Sequence, residues 1–326
     1  MGTSEDQYGG GWEYKILQEQ KTTKKQNMTK SLVTGGLGFI GSNLVDLLIE
    51  NDHEVSVIDN LSTGNEDYAN ILAKYHIKDI RNYKDIAPLF KNIDYVFHLA
   101  ALPRVEPSII DPLTSDDINT KGSLNVFFAA KESNVKKVIF SSSSSVYGDL
   151  APKKITEKEP LSPLSPYAQQ KLFGEQYLTL FHKLYGLNST SLRYFNVYGN
   201  RQPLEGSYVP VIGIWFRQIE AGGLPTITGD GKNRRDFVNV KDVARANLLS
   251  TQLSTDGHTA FNIGSGKNYS LNEICDHVSV ERNYIDPRLE PQFTLADWSK
   301  ARKVLKWSPD IDVIDWIKEN GPPISK

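Results

Sequence analysis

From Thr29 onward the chain alternates short apolar runs with longer amphipathic stretches. "KSLVT" (30–34) is an apolar run ending in the glycine-rich "GGLGFIG"; the amphipathic "SNLVDLLIEN" follows, then the apolar "EVSVIDN". Strand, glycine turn, helix and strand in such close succession is the signal of a parallel sheet wound with helices. The alternation continues: "IKDI" (77–80) predicts a third strand, "YKDIAPLF" a helix and "DYVFHLAAL" (94–102) a fourth strand. "PLTSDDINTKGSLNVFFAAKES" predicts one long helix, "KKVIFSS" a fifth strand, "PYAQQKLFGEQYLTLFHKLYG" a helix and "NSTSLRYFNV" a sixth strand. These strands are apolar without strict alternation, which suits a parallel sheet covered on both faces. The expected fold class is α/β, a Rossmann-type doubly wound parallel sheet.

After Asn196 the pattern changes to segments punctuated by glycine and proline, such as "YGNRQPLEGSYVPV" and "EAGGLPTITGDGKNRRDFV". This predicts a smaller α/β substrate-binding lobe over 196–236 and 266–326, beside a Rossmann domain over 28–195 to which 237–265 returns. Residues 1–27 are polar, contain glycine and end in a basic patch, with no apolar core of a signal peptide. They are expected to be a disordered extension or tag, with the natural start at Met28.

Bulk properties narrow the function. A net charge of −2 and no long basic run past the first 27 residues do not imply nucleic acid as a partner. No stretch approaches the ~18 consecutive apolar residues of a membrane span. Cys275 is the one cysteine, so no internal disulfide can form, which suits a reducing cytoplasm. No cluster of Cys, His and carboxylates has metal-ligand spacing, and no metal is expected.

"TGGLGFIG" sets Gly35, Gly36, Gly38 and Gly41 between the first strand and its helix. Gly36-x-Gly38-x-x-Gly41 satisfies the dinucleotide fingerprint: glycines allow the tight turn and let backbone approach a pyrophosphate at the helix amino terminus. Asp59 ends the second strand, at about the ~20-residue offset of the acid that binds a ribose 2′-hydroxyl. A carboxylate there repels a 2′-phosphate, and no arginine follows in "DNLSTGN", so NAD is expected over NADP. The competing reading of Asp59 is a strand-end turn former. Asp79 and Ile80, placed at the end of the third strand, are candidates to meet an adenine edge. His98 in "FHLAA" is expected to be a packed, hydrogen-bonded strand histidine rather than an acid or base.

"VIFSSSSSVYG" ends the fifth strand in five serines, bounded by apolar residues as no flexible linker would be. About two dozen residues on, Tyr167 and Lys171 stand four apart on a helix opened by Ser165-Pro166, which puts both side chains on one face. Of the 15 tyrosines, only Tyr167 has a lysine at that spacing. A free phenol has a pKa of ~10 and is a poor base at neutrality. A neighbouring ammonium and a nicotinamide cation both stabilise the phenolate. One or two of the serine hydroxyls are then expected to face the same substrate oxygen as Tyr167.

At this point the sequence resembles the extended short-chain dehydrogenase/reductase family, and within it the UDP-hexose 4-epimerases. The resemblance spans about residues 29–310 and rests on "TGGLGFIG", "DNLSTG", "FHLAAL", "SSSSSVYG", "SPYAQQK", "LRYFNVYG", "GDGKNRRDFV", "NIGSG" and "LADWSKA". It implies Ser143, Tyr167 and Lys171 as the catalytic set. It extends the cofactor contacts to Gly35, Gly38, Phe39, Ile40, Gly41, Asn60, Ser62, Thr63, Gly64, Leu99, Ala100, Ala101 and Tyr194. On the substrate side it implies Ser143, Ser144, Ser145, Tyr167, Asn196, Arg235 and Arg288, with Thr294 controlling pocket size near the sugar C2 substituent. Guanidinium pairing with phosphate is the reason for arginine at 235 and 288. A solvated surface charge is the competing reading of Arg235. For Arg104 and Asn119, packing and helix capping stand level with a substrate role. The segment before Arg288 is shorter than the family pattern, which suggests a trimmed substrate lobe.

The family's dehydratases carry an Asp-Glu pair where Ser144 and Ser145 stand, so the resemblance favours redox epimerisation over elimination. The implied function is an NAD-dependent isomerase that inverts C4 of a UDP-hexose through a transient 4-keto sugar. UDP-glucose/UDP-galactose and the N-acetylated pair are both open. The alternatives are a related nucleotide-sugar dehydratase, reductase or uronate epimerase, and, in a different class, a catalytically silent NAD-sensing protein. A homodimer built through a four-helix bundle is implied by the resemblance.

Overall fold

The computed structural model describes residues 28–103, 105–150, 152–204, 209–254, 256–287 and 291–322. Seven strands form one parallel sheet: β1 (Thr29–Thr34), β2 (His53–Asp59), β3 (Lys74–Ile77), β4 (Tyr95–His98), β5 (Lys137–Ser143), β6 (Ser189–Tyr194) and β10 (His258–Ile263). Their spatial order is β10-β6-β5-β4-β1-β2-β3. The order reverses between β1 and β4, which opens a crevice at their carboxyl ends, where open α/β sheets take their ligands.

Helices cover both faces. On one, Leu44 and Leu48 of the Phe39–Glu50 helix and Val243 of the Val240–Thr251 helix pack on Val33, Val57 and Ile139. On the other, Phe127 of the Ser123–Glu132 helix and Leu178 of the Pro166–Tyr185 helix pack on Leu32, Val96 and Phe140. With both faces buried, the strands have no reason to alternate, and the observed fold class is the doubly wound α/β sheet expected from the pattern.

Two expected elements differ. β3 ends at Ile77, so Asp79 and Ile80 lie beyond it in a turn rather than in the strand: Lys78 N–H donates to the Asp59 carbonyl at 3.0 Å and Asp79 accepts from Arg81. The long helix after β4 comprises the α-helices Pro112–Asp116 and Ser123–Glu132, with a π-helical stretch over Asp117–Gly122 between them. The interruption surrounds Asn119, whose buried amide is drawn out of the helix to bind another chain segment.

A small sheet stands over the crevice: β9 (Arg234–Asn239) pairs in parallel with β7 (Asn196–Tyr198) and antiparallel with β11 (Asn268–Ser270). A separate two-stranded parallel sheet is formed by β8 (Thr226–Thr228) and β12 (Asn283–Ile285). Their core is the cluster of Trp215, Phe216, Phe237, Ile274 and Trp316. No helix among the described residues is long and apolar enough to cross a membrane.

Candidate active site

The glycine turn after β1 is packed to its limit. Gly35 has φ +73°, and a Cβ there would lie 2.7 Å from the Ala100 nitrogen. A Cβ on Gly41 would fall 2.0 Å from the Gly35 carbonyl oxygen. Around Gly38, by contrast, only that same oxygen is near, at 3.3 Å. The backbone at Leu99 and Ala100 thus lies directly against the turn, with Ala101 next in the chain. Gly38 caps the Phe39–Glu50 helix without any side-chain bond, so Phe39, Ile40 and Gly41 present a helix amino terminus that no capping side chain occupies.

Asp59 is buried at the end of β2, its Oδ2 accepting the Leu37 N–H at 3.0 Å and its Oδ1 the Leu61 N–H at 2.8 Å. A Cβ on Gly64 would meet Oδ1 at 2.8 Å, so "DNLSTG" folds back over the carboxylate and brings Asn60, Ser62 and Thr63 to the same edge. The Asn60 side chain donates to Asp79 at 3.1 Å. The Arg81 guanidinium grips both Asp79 oxygens and holds that carboxyl down at about 2. Ile80 is buried beside Gly122.

Ser165 caps the Pro166–Tyr185 helix by accepting the Ala168 N–H, and the Tyr167 N–H donates to Ser108 Oγ at 3.1 Å. Tyr167 is half-buried and Lys171 fully buried, one turn apart on the side facing β5. Lys171 Nζ donates to the Ser141 carbonyl at 2.7 Å, 5.0 Å from the centre of the Phe140 ring and 5.8 Å from that of Tyr167. Burial pushes this amine down to about 7.

The serines divide by the two-residue alternation of a strand. Ser141 Oγ bonds the Tyr194 hydroxyl on one face at 3.0 Å, and Ser142 Oγ donates to Glu175 on the other at 2.5 Å. Ser143, the last strand residue, accepts from Ser145. Ser144 and Ser145 open a short 3-10 turn at the crevice. The two inner hydroxyls therefore bind buried side chains within the sheet layers. Tyr194 also bonds Asn247, and burial with the nearby Tyr167 phenol pushes it up to about 12.

Above the crevice, β9 carries Arg235, which is buried and not a solvated charge; its guanidinium donates to the Arg234 carbonyl at 3.2 Å. Asn196 Nδ2 donates to the Asp236 carbonyl at 2.9 Å, and Thr294 Oγ1 accepts the Asp236 N–H at 3.1 Å. Asn196, Arg235 and Thr294 thus converge on one strand. Arg104 and Arg288 lie outside the described residues.

A sequence profile of the NAD dependent epimerase/dehydratase family matches residues 31–264. The chain belongs to this family. It is 39% identical over 306 residues to a putative UDP-glucose 4-epimerase of Methanocaldococcus jannaschii, covering 89% of this chain and 99% of that one. Among solved structures it is similar to a UDP-N-acetylglucosamine 4-epimerase from Methanobrevibacter ruminantium, bound to UDP-N-acetylmuramic acid. The TM-score is 0.85 at 39% identity, over 90% of this chain and 96% of that one. A UDP-glucose 4-epimerase of Thermotoga maritima with UDP-glucose also gives 0.85, at 36% identity over 89% and 96%.

The family's cofactor is NAD, and the crevice suits it. A dinucleotide pyrophosphate needs close backbone approach and an uncapped helix start, which Gly38 and the turn around it provide. A ribose diol needs a buried acceptor at the β2 tip, which Asp59 provides.

Reading the sequence missed two groups in this family member's site, Glu175 and Asp236. Glu175 extends the Tyr167–Lys171 face by one more turn and pairs with Arg193 at 2.6 Å; the four-residue step from Lys171 was the available signal. Asp236 is fully buried: Oδ1 accepts from Ser265 N–H and Oγ–H, Oδ2 from Gly266 and Ala296 N–H. Burial pushes it up to about 6 against those four donors. Asn119, a candidate from the sequence, takes the packing role of its two readings: it clasps Leu102 by both N–H and C=O and bonds Gln170, tying the loop after β4 to the Tyr167 helix. His98 is buried between Thr34 and Ser123, pushed down to about 3 by burial and by Lys171, so it is neutral and structural as expected.

Proposed function

We propose that this protein is an NAD-dependent 4-epimerase of UDP-hexoses, with Tyr167 as acid–base, Ser143 beside it and Lys171 behind it. One observation carries the reading: Tyr167 and Lys171 share a helix face against the tip of β5, where positions 144 and 145 are serines. No carboxyl stands at those positions to drive elimination of water from a 4-keto sugar.

Tyr167 takes the proton of the sugar 4-hydroxyl, while Ser143 hydrogen-bonds the same oxygen. Lys171, stripped of solvent and facing the Tyr167 ring, stabilises the phenolate by its charge. NAD, when bound, supplies the hydride acceptor for C4 and returns the hydride. Gly38, Phe39, Ile40 and Gly41 would hold its pyrophosphate through backbone N–H groups; Asp59 would take a ribose diol, and Asn60, Ser62, Thr63, Gly64, Asp79, Ile80 and Leu99 to Ala101 would serve the adenosine half. Tyr194 and Lys171 would serve its nicotinamide end. Asn196 and Arg235 hold the sugar diphosphate, and Tyr167 gives the proton back once the sugar has turned its other face. Thr294 is modest in size beside the sugar C2 group, so we expect both plain and N-acetylated hexoses to enter. Arg104 and Arg288 are further candidates for the diphosphate.

The reading divides the chain into a cofactor layer, 28–195 with 237–265, and a substrate lobe, 196–236 with 266–326. We also propose a homodimer. Phe173, Leu180, Leu184 and Tyr185 of the Pro166–Tyr185 helix and Phe128 of its neighbour are exposed, an apolar stripe that a second copy would cover.

The test is to incubate the protein with UDP-glucose and, separately, UDP-N-acetylglucosamine, without reductant, and to resolve the sugars. We expect the 4-epimer and no net NADH. Loss of water or carbon dioxide from the sugar overturns the reading, as does full activity in Tyr167→Phe.

A further inference from the structure

Ser143 has two donors fixed on its oxygen. Its Oγ accepts the Ser145 N–H at 3.2 Å and the Ser145 hydroxyl at 2.9 Å. A serine hydroxyl has two lone pairs and one proton, so with both lone pairs engaged it can only donate to a further partner. Both residues keep partial solvent exposure at the crevice rim, so the core does not consume that remaining direction. The backbone bond alone is an ordinary serine turn. The second bond is different, because the turn does not require the Ser145 hydroxyl.

We propose that Ser145 is a positioning residue that makes Ser143 an obligate donor toward the sugar 4-oxygen. This rests on the epimerase reading above. A 4-hydroxyl has one proton, and only one of its two neighbours should receive it. An unconstrained serine could accept that proton in a hydrogen bond and hold it away from the phenol. With its lone pairs occupied, Ser143 offers the sugar a proton and accepts none, which leaves Tyr167 as the only acceptor. The Ser143 proton stays on its own oxygen throughout, so the same bond serves the hydroxyl, the ketone and the returning alcohol. Ser144, which lies between the two in the chain, is not part of this relay.

The experiment is a double-mutant cycle on steady-state epimerisation, with Ser145→Ala, Ser145→Thr, Ser143→Ala and the double variant Ser143→Ala/Ser145→Ala. Ser145→Ala should lower kcat about tenfold, the size expected of one hydrogen bond lost from a transition state, with KM within about twofold. Ser145→Thr, which restores the hydroxyl, should recover most of kcat. In the Ser143→Ala background, removing the Ser145 hydroxyl should cost nothing more. An undiminished kcat in Ser145→Ala overturns the proposal. So does a loss carried by KM, which would mark direct substrate contact, or an equal additional loss without Ser143. Melting temperature is followed in each variant; a drop that Ser145→Thr does not repair, with kcat tracking it, would mark a merely structural role. If the wild-type protein epimerises no UDP-hexose, the reading beneath the proposal fails first and is recognised by that arm alone.

Discussion

Glu175 and Arg193 form a two-pronged ion pair sealed beneath the tip of β5, with bonds of 2.9 Å and 2.6 Å. Both side chains are almost fully buried, at 6% and 5% exposure. Ser142 adds a donor to the carboxylate and Tyr147 an acceptor for the guanidinium, at 2.8 Å. Because Glu175 lies two turns beyond Tyr167, this pair sets the helix against the serines at the strand tip. Removing one charge leaves the other buried and unmatched, which costs about 3–5 kcal/mol. Glu175→Ala is therefore expected to lower the denaturation midpoint sharply, whereas Glu175→Leu combined with Arg193→Leu should cost less than either change alone. Chemical denaturation of the four proteins decides it; a single change costing no more than a surface substitution removes the role.

Lys171 stands to raise activity at the expense of stability. Its amine has a carbonyl and two rings for company, and burial moves it from 10.5 to about 7. Between those values the unfolded chain holds a proton that the folded chain has shed, so this residue makes stability rise with pH from about 7 to 10.5. Lys171→Met is expected to abolish that contribution, to melt no lower than wild type at pH about 7, and to lose about 10²–10⁴ in kcat. Paired melting curves across pH test the sign: an unchanged slope would show that the amine keeps its charge in the fold.

Asp59 should govern cofactor affinity more than folding. Two backbone N–H groups already satisfy its oxygens in part, and each oxygen retains a lone pair for a hydroxyl. Asp59→Ala is expected to weaken NAD binding by about tenfold or more, the scale of losing a charged hydrogen bond. Titration of cofactor-stripped protein with NAD reads it, and equal affinity would remove the ribose role.

Asp236 locks the substrate lobe to the main sheet. Its four donors come from Ser265, Gly266 and Ala296, which follow β10 and precede the carboxy-terminal helices. In Asp236→Asn one oxygen becomes an NH₂ group facing two donors, at least one of them a backbone N–H, whichever way the amide turns. Those unsatisfied groups should cost about 2–5 kcal/mol and loosen the neighbouring Arg234–Phe293 bridge. The expected result is a lower melting temperature and a raised KM for the UDP-sugar; a variant with wild-type KM would detach this lock from substrate binding.

Much of the site could be read directly because its signals are local. The glycine turn lies between a strand and a helix that both declare themselves by periodicity, and Tyr167 meets Lys171 through a single helical turn. Glu175 continues that same face yet was not recognised, because its meaning depends on Arg193 across the sheet. Arg235 illustrates the opposite difficulty. Flanked by Lys232, Asn233 and Arg234 it carries a competing reading as a solvated surface charge, which β7 and β11 pairing on either side of β9 removes by burying it. β3 lies toward the amino terminus of the expected strand: Asp79 pairs with Arg81, and Lys78 to Arg81 leave the strand for a turn.

The amino-acid order by itself determined the wound α/β fold, the dinucleotide turn, the acid at the β2 tip and the tyrosine–lysine face, since each follows from backbone geometry over a few neighbouring residues. Tertiary structure alone decided which of five consecutive serines points where, that the strand in the returning 237–265 segment takes its place beside β6, and that Asp236 and the Glu175–Arg193 pair hold the two layers around the crevice. Those outcomes depend on which distant groups can satisfy one another once water is excluded, and spacing along a chain carries no record of that.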